Sequence, residues 1–123
     1  MTLVDSVGWL DHFAGTAGSG AFSRAIDDAD ELLVPTVCLY EVYKWMRREK
    51  GKRDAMRAVA SMKRGIIVEM NDVIALQAAD ASREHGLPLA DSVIYATARA
   101  YRATVLTKDA HFKGLPGVRF VAG

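Results

Sequence analysis

Four acidic side chains stand next to apolar runs in a pattern that could bring them together. Asp5 directly follows the apolar pair Leu3-Val4, and Asp109 comes three positions after a second apolar run. Asp91 lies at the start of an apolar helical segment, and Glu41 lies in a helical segment behind a third apolar run. If the runs are parallel strands, their carboxyl ends share one edge of a sheet, where α/β proteins bind ligands.

A cluster of carboxylates has a limited set of chemical uses. The charges repel one another, so the group needs either raised pKa values or a bound cation. Carboxylate oxygens select hard ions such as Mg²⁺ or Mn²⁺, which polarise phosphodiesters and acidify a bound water. The pattern therefore indicates phosphate-ester chemistry. Taken singly, Asp5 could instead be a helix cap, Asp91 a helix-start charge and Asp109 a turn residue.

The elements that would position these acids alternate along the chain. Predicted strands cover residues 3–4, 32–34, 66–68, 104–106 and 118–121. The middle three run without polar alternation, which is typical of strands buried on both faces. Strands that alternate with helices predict an α/β protein, a three-layer α/β/α sandwich around a central, mostly parallel sheet.

Helical periodicity and capping residues predict the helices between those strands. Thr36 is expected to cap a helix that runs to about residue 50, and Gly51 is expected to end it. A further helix is predicted over residues 52–63, and Asn71 is expected to cap the next one. The last helix, from about 89 to 101, is apolar nearly all round and should be buried.

Length and composition narrow the classes of protein. The 123 residues, half hydrophobic and one quarter charged, predict one globular domain over residues 1–123. Cys38 is the one cysteine, so an internal disulfide is excluded and we expect a reducing compartment, the cytoplasm. The longest apolar stretch is far shorter than the roughly 18 residues that a membrane helix needs. The first residues also lack the pattern of a secretory signal.

Other motifs could carry chemistry, and each has a plainer interpretation. His12, His85 and His111 could form a metal-free acid–base pair, but they show no ligand-like spacing. We interpret them as surface or packing histidines. Residues 15–20 resemble a phosphate loop but lack its Lys-Ser/Thr ending and follow a helix, so they are interpreted as a connection between helices. Cys38 is expected to pack in the core.

Four segments together carry a family resemblance. Residues 3–6 read Leu-Val-Asp-Ser, residues 40–43 read Tyr-Glu-Val-Tyr, residues 87–98 contain Pro-Leu-Ala-Asp-Ser, and residues 105–112 contain Leu-Thr-Lys-Asp. In this order and spacing they resemble the PIN domain, and more narrowly the VapC toxins of toxin–antitoxin pairs. The resemblance covers the whole chain. It implies a metal-dependent endoribonuclease that hydrolyses RNA, commonly tRNA or ribosomal RNA.

The resemblance also implies a cofactor, partners and roles for particular residues. The quartet of Asp5, Glu41, Asp91 and Asp109 corresponds to the acids that hold Mg²⁺ or Mn²⁺ in that family, with Glu41 acting on a second ion or through water. Ser6 and Thr107 correspond to hydroxyls that hydrogen-bond to those acids. A VapB-type antitoxin would block the enzyme, and the family usually forms homodimers. The sequence departs from the family at His111, where many relatives carry an acid.

The charge of the chain is unevenly distributed. Nine basic and two acidic residues lie between Lys44 and Arg64, whereas the rest of the chain has seven basic and thirteen acidic residues. Such a segment is either a solvated helical surface or a site for a polyanion. Because an acidic pocket repels RNA unless nearby cations hold the backbone, we expect the segment to bind RNA. The residues expected to do so are Lys44, Arg47, Arg48 and Arg53.

Two alternatives belong to different functional classes. A receiver domain of a signalling pathway is also α/β, of this length, and binds Mg²⁺ through acids at strand ends. It needs an Asp at the end of its third strand, where this chain continues with Glu69-Met70-Asn71. The other alternative is a PIN-like fold that has lost catalysis and is kept for binding. The intact quartet favours the nuclease over this module.

Overall fold

Five short strands form a parallel sheet in the computed structural model, which describes residues 1–122. The strands are β1 (Thr2–Val4), β2 (Leu32–Pro35), β3 (Ile66–Val68), β4 (Thr104–Thr107) and β5 (Val118–Phe120). Their order across the sheet is β3-β2-β1-β4-β5, and every neighbouring pair is parallel. All five predicted strands are confirmed, with boundaries that differ by one residue at most.

The helices cover both faces of this sheet. Along residues 1–122 they are α1 (Ser6–Ala14), α2 (Gly20–Asp27), α3 (Thr36–Glu49), α4 (Lys52–Met62), α5 (Asp72–His85) and α6 (Leu89–Ala100). The crossovers from β1 to β2 and from β2 to β3 move in one direction, and right-handed connections put α1–α4 on one face. The crossover from β3 to β4 moves back and puts α5 and α6 on the other. The predicted α/β/α layering follows from these connections.

This reversal creates a switch point between β1 and β4. The chain leaves β1 towards β2 on one side of the sheet and later adds β4 on the other side. Connections on opposite faces leave a crevice at the carboxyl ends of the two strands, and open α/β sheets bind ligands there. Asp5 follows β1, and Asp109 follows β4 by two positions.

Local capping rules hold at one helix start and fail at another. The Asn71 side chain accepts a hydrogen bond from the Ile74 amide at 2.8 Å, as predicted for the start of α5. The prediction that Thr36 caps α3 is wrong, because Thr36 is already helical and Pro35 takes the cap position in extended conformation. Helix α3 ends at Glu49, and Gly51 with φ +98° makes the break before α4.

The core lies between the sheet and its helices. Both faces of β1 and β2 are buried, and every residue of α6 from 92 to 98 is buried, as its apolar sequence predicts. The prediction that β3 is buried on both faces is wrong, because β3 is an edge strand and Ile66 is exposed. Within residues 1–122, none of the helices combines the length and apolar character needed to cross a bilayer.

Candidate active site

Strand register brings Asp5 and Thr107 together. The pairing of Val4 with Leu106 in the parallel β1–β4 ladder places the next residues, Asp5 and Thr107, side by side. The Thr107 hydroxyl donates to Asp5 Oδ2 at 2.6 Å, and the Gly8 amide donates to Asp5 Oδ1 at 2.9 Å. Asp5 is therefore the N-cap of α1 and also lies at the switch point. Its side chain is only 2 % exposed.

Glu41 reaches the same crevice from α3. Its Oε1 atom accepts a hydrogen bond of 2.6 Å from the hydroxyl of Ser6, the first residue of α1. Ser6 and Glu41 are 35 positions apart, so this bond joins two helices across the mouth of the crevice. Ser6 and Thr107 thus make the hydrogen bonds to acids that the family resemblance implies for them.

Asp91 and Asp109 meet at the opposite side of the crevice. Asp91 lies in the first turn of α6, and Asp109 caps a single 3-10 turn, Ala110–Phe112, through a 2.9 Å bond from the His111 amide. The Asp109 amide itself donates to Thr107 Oγ1 at 2.9 Å, which ties this turn to the end of β4. The helix-start and turn interpretations of these acids are therefore correct descriptions of their local structure.

The quartet lines one cavity of about 270 Å³. Its walls also include apolar side chains. The lining residues are Asp5, Ser6, Val7, Leu10, Glu41, Trp45, Asp91, Ile94 and Asp109. All four acids singled out from the sequence therefore line the same cavity, and within residues 1–122 the pair Asp91 and Asp109 also belongs to a group whose donor atoms lie within 4.8 Å of one another.

The negative charge in this cavity is not fully compensated by the protein. Burial raises the pKa of Asp5 to about 6, and the charges of Asp109 and Asp91 add to the rise. Hydrogen bonds from Thr107 and Gly8 oppose it. Burial also raises the pKa of Asp91; a hydrogen bond with His111 opposes that rise, and the charge of Asp109 contributes to it.

These residues fit a divalent metal ion. The donors are carboxylate oxygens, the ligands that Mg²⁺ and Mn²⁺ prefer, and a cation would offset both the burial and the repulsion that raise the pKa values of Asp5 and Asp91. Asp91, Asp109 and His111 each offer a donor atom, and these three atoms lie within 4.8 Å of one another. The site thus has the composition of a metal centre.

His111 lies beside the quartet, at the position where the sequence departs from the family pattern. We interpret it from the sequence as a surface or packing histidine, and its side chain is 57 % exposed, yet its Nδ1 atom lies 2.8 Å from Asp91 Oδ2 and 3.3 Å from Asp109 Oδ1. The contact with Asp91 is not among the sequence predictions; the spacing of two from Asp109, where many relatives carry an acid, is the feature that points to it. The interpretation holds for His12, which pairs with Ser23, and for His85, which packs edge-on against Tyr95.

The basic segment lies beside the cavity on α3 and continues on α4. A shallow depression of about 490 Å³ is lined by Tyr40, Tyr43, Lys44, Arg47 and Arg48. Tyr40 is 59 % exposed and precedes Glu41, and the Lys44 ammonium lies 5.5 Å from the centre of its ring. Arg53 is exposed on α4.

Two remaining motifs have structural roles. Cys38 is fully buried, and burial raises the pKa of its thiol, so it is a core residue as predicted. Residues 15–20 connect α1 to α2 as expected, and Gly15 ends α1 in the left-handed conformation at φ +64°.

Comparison with protein families decides how this arrangement is classified. The PIN domain family matches residues 2–118, which is nearly the whole chain. The chain belongs to the PIN domain family. The alternative of a receiver domain is thereby excluded, and the sheet order of this PIN domain also differs from the order 2-1-3-4-5 of receiver folds.

Solved structures share the fold of this PIN domain at low sequence identity. A toxin–antitoxin complex from Klebsiella pneumoniae superposes with a TM-score of 0.86 at 22 % identity, covering 99 % of this chain and 98 % of that one. VapC20 of Mycobacterium tuberculosis, a sarcin–ricin loop cleaving toxin, gives 0.80 at 19 % identity, with 99 % and 100 % covered. VapBC2 from Rickettsia felis, bound to a promoter DNA fragment, gives 0.73 at 14 % identity, with 97 % and 96 % covered. A search of curated proteins found no significant match.

Proposed function

We propose that this PIN domain is a divalent-metal-dependent endoribonuclease and the toxin of a toxin–antitoxin pair. The observation that carries the proposal is the meeting of Asp5, Glu41, Asp91 and Asp109 around one cavity at the switch point of the sheet. The names of similar structures support it, since one is a sarcin–ricin loop cleaving toxin, another a toxin–antitoxin complex and a third a VapBC2 complex.

In this proposal Asp5, Asp91 and Asp109 hold Mg²⁺ or Mn²⁺, and Glu41 acts through water or on a second ion. When bound, the ion would polarise the phosphodiester and lower the pKa of the attacking water. The protein contributes orientation: Thr107 and Gly8 hold Asp5 from two sides, and Ser6 holds Glu41. Apolar side chains of Val7, Leu10, Trp45 and Ile94 line the rest of the cavity.

The proposed substrate is RNA, bound along the depression on α3. Tyr40 offers an exposed ring on which a base can stack, and Lys44 and Arg47 stand one turn or two further along the same helix. Phosphates held by these side chains and by Arg48 would bring the backbone to the acids, because Glu41 follows Tyr40 directly. In this proposal an RNA strand passes around α3 from the depression, which Tyr40 lines, to the neighbouring cavity, which Glu41 lines.

Charge reversal tests the proposed RNA surface. The triple change Arg47→Glu, Arg48→Glu and Arg53→Glu should weaken RNA binding and lower the slope of log affinity against log salt by about 2, at roughly 0.7 per phosphate contact of a single strand. The matched control is Arg83→Glu on α5, which should leave the slope unchanged. Unchanged RNA binding by the triple variant at low salt would contradict the assignment of this surface to RNA.

Cleavage of total bacterial RNA tests the function itself. The purified chain is incubated with Mg²⁺ or Mn²⁺, with EDTA, and as the variants Asp91→Asn and Asp80→Asn, the second an exposed acid on α5. We expect discrete fragments from the parent and Asp80→Asn with metal, and none with EDTA or Asp91→Asn. Cleavage that persists in EDTA contradicts the metal-dependent mechanism. RNA binding without cleavage under all conditions favours the binding module that lacks catalysis.

The proposed partners are a VapB-type antitoxin and a second copy of this chain, acting in the cytoplasm on tRNA or ribosomal RNA. The support is the assembly of similar folds with antitoxins in solved complexes. Coexpression with the product of the neighbouring gene should yield a complex that no longer cleaves RNA. Light scattering of the isolated chain tests the homodimer, and a mass of one chain at micromolar concentration would contradict it.

A further inference from the structure

The turn that carries His111 brings its imidazole next to two acids of the cavity. Asp109 Oδ1 accepts from the His111 amide at 2.9 Å, which fixes the start of the turn Ala110–Phe112. Phe112 is fully buried and anchors the other end of this turn in the core. The His111 side chain is 57 % exposed, so packing does not account for its position beside the acids. The capping bond and the buried anchor fix the backbone of the turn, and the 2.8 Å contact between Nδ1 and Asp91 Oδ2 holds the ring beside the acids.

The donor atoms of this group have the separations of neighbouring ligands on one ion. Nδ1 of His111 lies 2.8 Å from Asp91 Oδ2 and 3.3 Å from Asp109 Oδ1. Adjacent ligands of an octahedral ion with bonds of about 2.1 Å are about 3.0 Å apart. The two observed distances lie on either side of that value, and the donor atoms of all three residues lie within 4.8 Å of one another, so these atoms can reach one ion.

We propose that His111 is a metal ligand through Nδ1 and makes the site prefer Mn²⁺ over Mg²⁺. The inference rests on the proposed function, because it concerns the ion of the same site. Mg²⁺ strongly favours oxygen donors, whereas an imidazole nitrogen suits transition metals. A site with carboxylates and one imidazole therefore gains more affinity for Mn²⁺ than for Mg²⁺, compared with a site of carboxylates alone.

The other two histidines, His12 and His85, have partners away from the acidic quartet and serve as comparisons for His111. His12 Nδ1 is 2.8 Å from the Ser23 hydroxyl, and the His85 ring packs against Tyr95 at 5.6 Å between ring centres. Among residues 1–122, neither residue belongs to a group of side chains that could share an ion, whereas His111 forms such a group with Asp91 and Asp109. A histidine nitrogen coupled to an ion at the quartet therefore has one source, and His85→Gln serves as the matched control for His111→Gln.

Pulsed electron paramagnetic resonance of Mn²⁺ bound to the full-length chain tests the ligand directly. We expect echo modulation from a coordinated ¹⁴N nucleus in the parent protein and in His85→Gln, and its loss in His111→Gln. Calorimetric titration should show Mn²⁺ affinity reduced by about tenfold or more in His111→Gln, with Mg²⁺ affinity changed by less than about threefold. His111→Asp should shift the preference towards Mg²⁺, because it replaces nitrogen with oxygen.

The outcomes separate this inference from the proposed function. If Mn²⁺ binds the parent but not Asp91→Asn, and the parent shows no nitrogen coupling, His111 is not a ligand. That result leaves the metal-dependent nuclease intact. An equal loss of Mg²⁺ and Mn²⁺ affinity in His111→Gln would also overturn the proposed selectivity. A parent chain that binds neither ion would overturn both the inference and the metal-dependent function.

Discussion

Replacing Asp5 with Asn should stabilise the metal-free protein at neutral pH while removing its activity. Burial raises the pKa of Asp5 to about 6 from an ordinary value of 3.8, so the folded state holds its proton more tightly than the unfolded state. As the pH rises from about 4 to 6, the unfolded chain ionises first, and the free energy of unfolding falls. Above pH 6 the cost of the buried charge is fully present.

The structure sets the size of this effect. A pKa difference of about 2 units corresponds to about 3 kcal/mol at 1.36 kcal/mol per unit. In Asp5→Asn the amide can accept from Gly8 and donate to Thr107, but the Thr107 hydroxyl then loses its acceptor, at a cost of about 1 kcal/mol. The variant should therefore gain about 2 kcal/mol at pH 8, and the gain should vanish or change sign near pH 4.

Urea denaturation of chelated and dialysed protein at pH 4 and pH 8 measures this difference. The control is Asp80→Asn, an exposed acid on α5, for which the change in unfolding free energy should be near zero at both pH values. If Asp5→Asn is less stable than the parent at pH 8, or differs from it equally at both pH values, the buried charge of Asp5 does not destabilise the folded protein as proposed.

Other perturbations test the same framework. Mg²⁺ or Mn²⁺ at about 100 times its dissociation constant should add about 2.7 kcal/mol to the unfolding free energy of the parent. The same ion should add much less to the unfolding free energy of Asp91→Asn. Denaturation with and without metal measures both values. Thr107→Val should lower the unfolding free energy by about 1–3 kcal/mol, because it removes the hydroxyl that donates to Asp5 and accepts from the Asp109 amide. The pKa of Asp5 should then rise above about 6, so urea denaturation at a series of pH values should show stability still falling above pH 6. Gly8→Ala should cost about 1–3 kcal/mol, because a Cβ at Gly8 would lie 2.6 Å from Val4 Cγ1 in a closed core, and equal stability of parent and variant would contradict that packing. Its control is Gly20→Ala, where the nearest atom is the flexible end of an arginine at 3.3 Å and the change should be neutral or stabilising.

Features set by neighbouring residues could be predicted from the sequence. Strands and helices follow from the period of apolar residues, and the cap of α5 follows from Asn71 and an amide three positions later. The capping prediction failed at Thr36, because Pro35 belongs to β2 and takes the cap position in extended conformation. The same limit applies to β3, since an apolar run does not reveal whether a strand lies at the edge of a sheet.

The candidate site also has features that the sequence determines and features that only the packing of distant segments determines. The sequence alone determined which acids are available, their order along the chain and the family pattern they match. Only the tertiary structure decided that Asp5 meets Thr107 across 102 positions, and that His111 meets Asp91 across 20. The first contact depends on the register of two parallel strands, and the second on a turn anchored by a buried side chain. Periodicity carries no information about either, because both are set by how distant segments pack rather than by the conformations of their neighbours.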